Sequence, residues 1–371
     1  IKHGTITVIV NKLPVEITTF RKESGYADNR HPDKVEFVGD LAEDLKRRDF
    51  TVNSLAYNEK HGLIDLYGVL SDLKNGIIRT VGDPYERFSE DALRILRAVR
   101  FSSKLGFSIE EKTYAAAVEL KDRLKNVSAE RIFSEFTKTL CGKNVKAALL
   151  NYREIITEII PEMKPCVGFL QHSKWHLYDV YEHIVRSVEA VPPVTELRIA
   201  MFFHDIAKPD CFFLKDGEGH FYGHPEPSAR KADAILRRLK APTALREEVV
   251  FLVKNHDLHL SNSEIKIKKT LGKTGKERFF RLLEVKKADN AAQGTCIAEK
   301  EGEEIDRIRT IAEKIIEKGE VYDIKQLKIN GDDLIGIGFS GKEIGEETEK
   351  LLNACMENRL GNNKEKLKAA A

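Results

Sequence analysis

From residue 83 to about residue 160, apolar side chains recur at three- and four-residue spacing. That period commits the stretch to amphipathic helices throughout, until Pro161 and Pro165 break it. What precedes it is different. Residues 5–10 (TITVIV) and 15–20 (VEITTF) read as two strands joined by the turn-prone residues 11–14. Residues 21–37 are polar, with Gly and Pro, and read as a loop. Helix-forming residues return over 43–58, and LIDLYGVL and IIRTV are short elements around a charged connector. Residues 170–300 are again helical and rich in His and Asp; the last part has glycine-punctuated turns before one more helix. Strands are expected only at the start. The class is therefore α+β, a small sheet followed by a mostly α remainder.

A chain of 371 residues has room for two or three domains. Its 42% hydrophobic and 32% charged content is that of an ordinary globular protein. No apolar run approaches the ~20 residues of a membrane span, and no signal peptide is visible. Five scattered cysteines without a CxxC pair argue against a disulfide framework or a thiolate zinc site, and they suit a reducing cytoplasm. The net charge of +2 announces no polyanionic partner. Local charge says more: Lys266, Lys268, Lys269, Lys273, Lys276, Arg278 and Arg281 crowd one segment. They form either a solvated face or a phosphate-contacting patch.

Two polar clusters carry chemistry. In EDALRILRAVRF, Asp91, Arg94, Arg97 and Arg100 recur every third position and are expected on one helical face. A carboxylate beside a guanidinium complements the edge of a nucleobase, accepting from the amino group of C or A while Arg donates. Arg97 and Arg100 would extend the stripe towards phosphates. The competing reading is a surface ladder of ion pairs. In RRDFTVNSLAYN, Arg47 and Arg48 could grip a triphosphate, and Asp49 and Asn53 could take ribose hydroxyls. The competing reading is a helix start capped by Asp49 or Thr51.

Taken in order, HGTITV, VEITTFR, EDLKRRDFTVNSLAYN, LIDLYGVLSDLKNGIIRTVGDP and EDALRILRAVRFSSKLGF resemble the class II tRNA nucleotidyltransferases, or CCA-adding enzymes, and the related bacterial poly(A) polymerases. The resemblance is close over residues 1–160. It implies part of a polymerase-beta-like nucleotidyltransferase head over 1–78, a helical neck with the base template over 79–165, an HD domain over 166–300, and a tRNA-binding body or tail over 301–371. It implies addition of C, C and A to a tRNA 3′ end from CTP and ATP, with Mg²⁺, in the cytoplasm. It makes Arg48 a phosphate ligand, Asp49 and Asn53 sugar contacts, and Glu90, Asp91 and Arg94 the template, with Arg97 and Arg100 in support. The loop around Glu23, Tyr26, Arg30 and Pro32 resembles the element needed for the final A, and Asp65 and Gly68 fall in the hinge motif. The family's metal-binding DxD stands on a strand ahead of HGTxTV. None is found in this chain, so an N-terminal truncation is expected. Glu16 is either an auxiliary carboxylate or a solvent-facing strand residue.

A second constellation lies in WHLYDVYEHIV, FFHDIAKP, FYGHPEPSA, VKNHD and KADN. The adjacent His204 and Asp205 join His183, His224, His256 and Asp289 at intervals helices can bring together. Imidazole with carboxylate suits Mn, Fe, Ni, Zn or Mg with open water positions. Lys208 could stabilise a phosphate. This set resembles the HD phosphohydrolase superfamily: His183, His204, Asp205 and Asp289 match its four-ligand pattern, and His224 and His256 the extended one. That resemblance implies phosphatase and 2′,3′-cyclic phosphodiesterase activity; the other reading is a vestigial tRNA-binding helical domain. His172 and His176 match neither pattern and read as surface residues. The alternatives for the whole chain are a poly(A) polymerase or CC-adding enzyme, and an HD phosphohydrolase with an RNA-binding module that lacks transferase activity.

Overall fold

The computed structural model describes residues 5–24, 34–173, 177–294 and 297–371. They divide into two compact units. The first holds residues 1–167, 193–199 and 233–246; the second holds 168–192, 200–232 and 247–371.

Unit 1 opens with a hairpin of β1 (Thr5–Val10) and β2 (Leu13–Thr18). Asn11 and Lys12 both take positive φ, 51° and 66°, the conformation a two-residue hairpin turn requires. The register pairs Ile6 with Ile17, Val8 with Val15 and Val10 with Leu13, so one face is wholly apolar. All six residues are exposed among the described residues. A lone hairpin is marginal in water and this face requires cover. A second hairpin, β3 (Arg21–Ser24) and β4 (Lys34–Phe37), leads to α1 (Leu41–Lys46). Asp40 caps α1, and the buried Asp44 accepts from Arg21 N at 3.2 Å and from Arg47, tying β3 to the helix.

Residues 43–58 are not helical throughout as expected. Leu55–Asn58 form β5, paired with β6 (Gly62–Asp65). Gly62 with positive φ and the Asn58 side chain, which accepts from Lys60 N, close that turn; turn chemistry overrides helix propensity there. After α2 (Val69–Asn75) comes the short β7 (Ile77–Ile78), then α3 (Pro84–Glu90) and α4 (Leu93–Leu105). β8 (Ser108–Ile109) lies parallel to β7. α5 (Glu111–Glu119), α6 (Ala129–Leu140), α7 (Val145–Asn151) and α8 (Arg153–Ile159) complete the helical run. The periodicity builds a core in which Phe50, Phe88, Ile95, Val99, Phe136 and Leu149 are buried, with α4 against α6 and α7.

Unit 2 carries α9 (Val180–Ala190), part of α10 (Thr195–Phe203) and α11 (Lys208–Cys211). A fourth hairpin follows, β9 (Phe213–Lys215) with β10 (Glu218–His220), so strands are not confined to the start. Then come part of α12 (Pro225–Arg238), part of α13 (Thr243–Asn255), and α14 (Glu264–Thr274), α15 (Lys276–Ala291) and α16 (Ile297–Glu317). Ile267, Leu271, Phe279, Leu283, Ile308 and Ala312 of α14–α16 form one apolar cluster. The end of the chain folds α17 (Gly331–Ile335), α18 (Lys342–Met356) and α19 (Lys364–Ala370) around Leu334, Leu351, Cys355 and Leu367. No described helix is long and apolar enough to cross a membrane. The described cysteines are free.

Gly142 shows how tightly unit 1 packs. A Cβ there would lie 2.7 Å from the Ser103 carbonyl, which already accepts from Asn144 N at 2.9 Å. Gly142→Ala is expected to lower stability by roughly 1–3 kcal/mol, read as a lower denaturation midpoint in urea.

Two candidate functional sites

The first site lies at the end of α1. Arg48 donates to the Asn53 carbonyl at 2.6 Å. Asp49 Oδ1 accepts from Phe50 N at 2.9 Å and from Asn53 Nδ2 at 3.1 Å, which folds residues 49–53 into a tight turn. The other Asp49 oxygen, Oδ2, accepts from Arg97 Nε of α4 at 2.7 Å. That ion pair brings the two sequence clusters together.

The expected stripe is reorganised at its head. The helix breaks at Asp91, whose backbone is extended (φ −147°, ψ 103°). Asp91 therefore does not share a helical face with the arginines. Its Oδ1 accepts from Leu93 N at 3.1 Å, starting α4, and its Oδ2 accepts from Arg131 of α6 at 2.7 Å. A short polar side chain competes for the backbone here, which periodicity does not register. Arg94 is buried and donates to Glu90 at 2.5 Å and to the Arg87 carbonyl at 3.0 Å; Glu90 also pairs with Arg87. Arg100 turns away, to Glu135 at 2.6 Å and over the Phe101 ring at 4.2 Å.

Arg48, Asp49, Asn53, Asp91, Arg94 and Arg97 thus line one cavity of about 470 Å³, together with Arg47, Leu93 and Arg131. Glu90 supports it through Arg94, and Arg100 is not part of its wall. Five arginines against two aspartates give the wall a positive excess that suits a polyphosphate. Arg131 was not legible as a site residue; its only signal is the four-residue spacing to Glu135 in ERIFSE. Glu16 stands elsewhere, exposed on β2 opposite Thr7, and belongs to no group of potential metal ligands among the described residues. The residues of this chain do not fit a two-Mg²⁺ centre at Glu16. Asp65 caps α2, accepting from Val69 N at 2.8 Å and Leu70 N at 3.0 Å, and these bonds hold its carboxyl below its usual value; Gly68 has a φ of 72°. Tyr26, Arg30 and Pro32, and the side chain of Glu23, lie outside the described residues, as does His176.

The second site lies wholly in unit 2. His183 of α9, His204 and Asp205 after α10, His224 before α12, His256 after α13 and Asp289 of α15 converge. They form two groups that share Asp205: His183, His204, Asp205 and Asp289, and Asp205, His224 and His256. Asp205 Oδ2 is 3.2 Å from both His183 Nε2 and His204 Nε2, and Oδ1 is 3.0 Å from His224 Nε2. His183 Nε2 is also 3.0 Å from Asp289 Oδ1.

Backbone carbonyls set the tautomers. The Nδ1 atoms of His204, His224 and His256 face the carbonyls of Met201, Phe221 and Val253 at 2.7, 2.9 and 2.7 Å. A carbonyl only accepts, so each Nδ1 carries the hydrogen and, in the neutral ring, each Nε2 presents a lone pair. Yet His224 Nε2 and His256 Nε2 are 3.0 Å apart, and His183 Nε2 and His204 Nε2 are 3.2 Å apart. Lone pairs at that distance repel unless a proton or cation lies among them. Both Asp205 oxygens are buried without a well-angled hydrogen bond, although Lys208 Nζ is 2.6 Å from Oδ2. This donor set fits one or two divalent metals, with Asp205 reaching both groups. Burial disfavours a charge on His204, but Asp205 and Asp289 outweigh it and raise the imidazolium to about 10. Burial likewise opposes ionisation of the two aspartates, and the neighbouring cations hold both well below the usual carboxylate range.

Lys208 is buried. Its ammonium also donates to Gln171 Oε1 at 3.1 Å, and Gln171 Nε2 donates to the Tyr178 carbonyl at 3.1 Å. Gln171 has no sequence signal as a site residue. The hairpin closes on this segment through Gly219 N, which donates to the His172 carbonyl at 2.8 Å; His172 itself is exposed, with φ 48°.

The chain is similar to known proteins along most of its length. Residues 1–79 match the family described as "Poly A polymerase head domain", 106–166 that described as "Probable RNA and SrmB- binding site of polymerase A", and 226–371 that described as "tRNA nucleotidyltransferase domain 2 putative". It is 50% identical to the CCA-adding enzyme of Lactobacillus helveticus over 291 residues, 69% of this chain and 73% of that protein. It is 53% identical to the CCA-adding enzyme of Ligilactobacillus salivarius over 152 residues, 41% of this chain but only 38% of that protein's length. Among solved structures, it resembles the Bacillus stearothermophilus CCA-adding enzyme in complex with CTP, with a TM-score of 0.70 and 27% identity, over 100% of this chain and 81% of that one.

A divalent metal entering the second site would compete with a proton for the His204 Nε2 lone pair. Calorimetry with Mn²⁺ at pH 7–8, in buffers of different ionisation enthalpy, is expected to show release of about one proton per site and weaker binding as pH falls. Absence of proton release would remove the protonated-cluster description.

Proposed function

Because this chain belongs to the family of CCA-adding enzymes, we propose that it adds C, C and A to the 3′ end of tRNA from CTP and ATP, in the cytoplasm. The observation that supports this most is the single cavity built from two separate clusters. Arg48 and the neighbouring arginines bind the triphosphate. Asp49 and Asn53, joined by their own hydrogen bond, meet the ribose. Asp91 and Arg94 present the acceptors and donors that read the base edge, with Glu90 and Arg131 fixing their orientation. The transfer chemistry uses Mg²⁺ in this reading.

The second site is proposed as a metal-dependent phosphohydrolase centre of the HD type, acting on phosphomonoesters and 2′,3′-cyclic phosphates. His183, His204, Asp205, His224, His256 and Asp289 hold Ni, Mn, Fe, Zn or Mg. A metal bound there would supply an activated water at neutral pH. Lys208, kept in place by Gln171 and Asp205, neutralises a phosphoryl oxygen.

The test supplies the full-length protein with tRNA lacking its 3′ end, and CTP and ATP separately and together. The reading expects CC from CTP alone and CCA from both. Runs of A, or no incorporation, would contradict it. Asp205→Ala is expected to reduce metal-dependent hydrolysis of 2′,3′-cyclic AMP to background while CCA addition continues. Hydrolysis that survives Asp205→Ala would place that activity elsewhere.

A further inference from the structure

Seven basic side chains crowd residues 266–281, and the structure sorts them into two groups. Lys268 is buried, ion-paired with Glu264 at 3.1 Å and Glu320 at 2.7 Å, and it donates to the Met356 carbonyl at 3.1 Å. Arg278 and Arg281 both bind Glu248, at 2.8 and 2.7 Å. These three charges are neutralised within the fold. Lys266, Lys269, Lys273 and Lys276 are exposed, and none has an ion pair with a carboxylate among the described residues.

Lys266, Lys269 and Lys273 are spaced by three and four, so they stand on one face of α14, opposite the buried Ile267 and Leu271. Like charges at that spacing destabilise a helix, and Lys266 in the first turn also opposes the helix dipole; only Lys273, in the last turn, is favoured by it. A merely solvated face does not need this arrangement. On the neighbouring α16, basic and acidic residues interleave, with Arg307 paired to Glu303 and Arg309 to Glu284. Lys276, exposed at the start of α15 just past Gly275, adds to the segment a fourth lysine unpaired among the described residues. The cavity of about 500 Å³ on its flank includes Asp323 and Glu349, which repel phosphate, so the lysine crest is the surface with the right charge.

We propose that this crest, Lys266, Lys269, Lys273 and Lys276, is a contact line for the phosphodiester backbone of RNA. The choice of RNA over other polyanions rests on the transferase reading above. The contact is electrostatic and sequence-independent, and it releases counterions.

The test measures binding of a tRNA transcript by fluorescence anisotropy across a salt series, without nucleotide. The full-length protein is compared with a variant carrying Lys266→Gln, Lys269→Gln, Lys273→Gln and Lys276→Gln. A control of equal charge carries Lys300→Gln, Lys314→Gln, Lys318→Gln and Lys325→Gln. The crest variant is expected to bind at least about tenfold more weakly near 0.1 M salt, with the slope of log K against log salt reduced by about 3, at roughly 0.7–0.9 per contact. Its melting temperature is expected to be unchanged or higher, because like-charge repulsion is removed. An unchanged slope, or an equal loss in the control, overturns the proposal. So does loss of binding to vesicles of anionic phospholipid with tRNA binding intact. If CCA addition fails in the parent protein while the crest slope falls as expected, the transferase reading fails and the RNA contact stands; the reverse pattern rejects the crest alone.

Discussion

The ion pair between Asp49 and Arg97 decides the shape of the first site. It joins the turn after α1 to the second turn of α4, residues forty-eight apart in sequence. Without it, RRDFTVN would be a capped turn and α4 a basic helix, and neither would bind anything in particular. With it, the arginines of both segments face one volume. The side chains of Asp91 and Arg94 are also held: Asp91 by Arg131, and Arg94 by Glu90. Under the proposed reading, these contacts would orient the pair before a nucleotide arrives and limit the entropy lost on binding.

The second site obeys a different constraint. Its geometry comes from carbonyls rather than from ion pairs. Three backbone acceptors dictate where the imidazole hydrogens lie, and so aim the ring lone pairs inward. The resulting cluster cannot be satisfied by its own members. A proton or a cation placed among the ring lone pairs would satisfy it. Lys208 and Gln171 add a fixed positive charge at the edge of the same centre.

Much of this was legible in the sequence. The period of 3.6 over residues 83–160 located the helical part, and the alternation in TITVIV located the first hairpin. The six side chains that converge in the second site could be named, because His and Asp are uncommon inside apolar helices. Spacing alone misplaced Asp91: it cannot distinguish a helical residue from one that leaves the helix to cap the next. It could not find Arg131 or Gln171 either, because both act through contacts forty and thirty-seven residues away. Residues 55–58 were misassigned because a four-residue strand is decided by its partner, β6, and by the turn between them. The lysine-rich segment shows the same limit from the other side. Which charges are paired depends on Glu248 and Glu320, both distant in sequence.

The central claim is that Asp91 and Arg94 choose the nucleotide. Its most direct measurement is the ratio of C and A to U and G incorporated by the full-length protein from equal concentrations of all four triphosphates, for the parent and for Asp91→Ala and Arg94→Ala. A base-edge contact contributes about 1–3 kcal/mol of discrimination, so the account predicts that the ratio falls about tenfold or more in each variant, beyond any loss of rate. Discrimination that stays at the parent level while incorporation continues would reduce Asp91 and Arg94 to structural ion pairs.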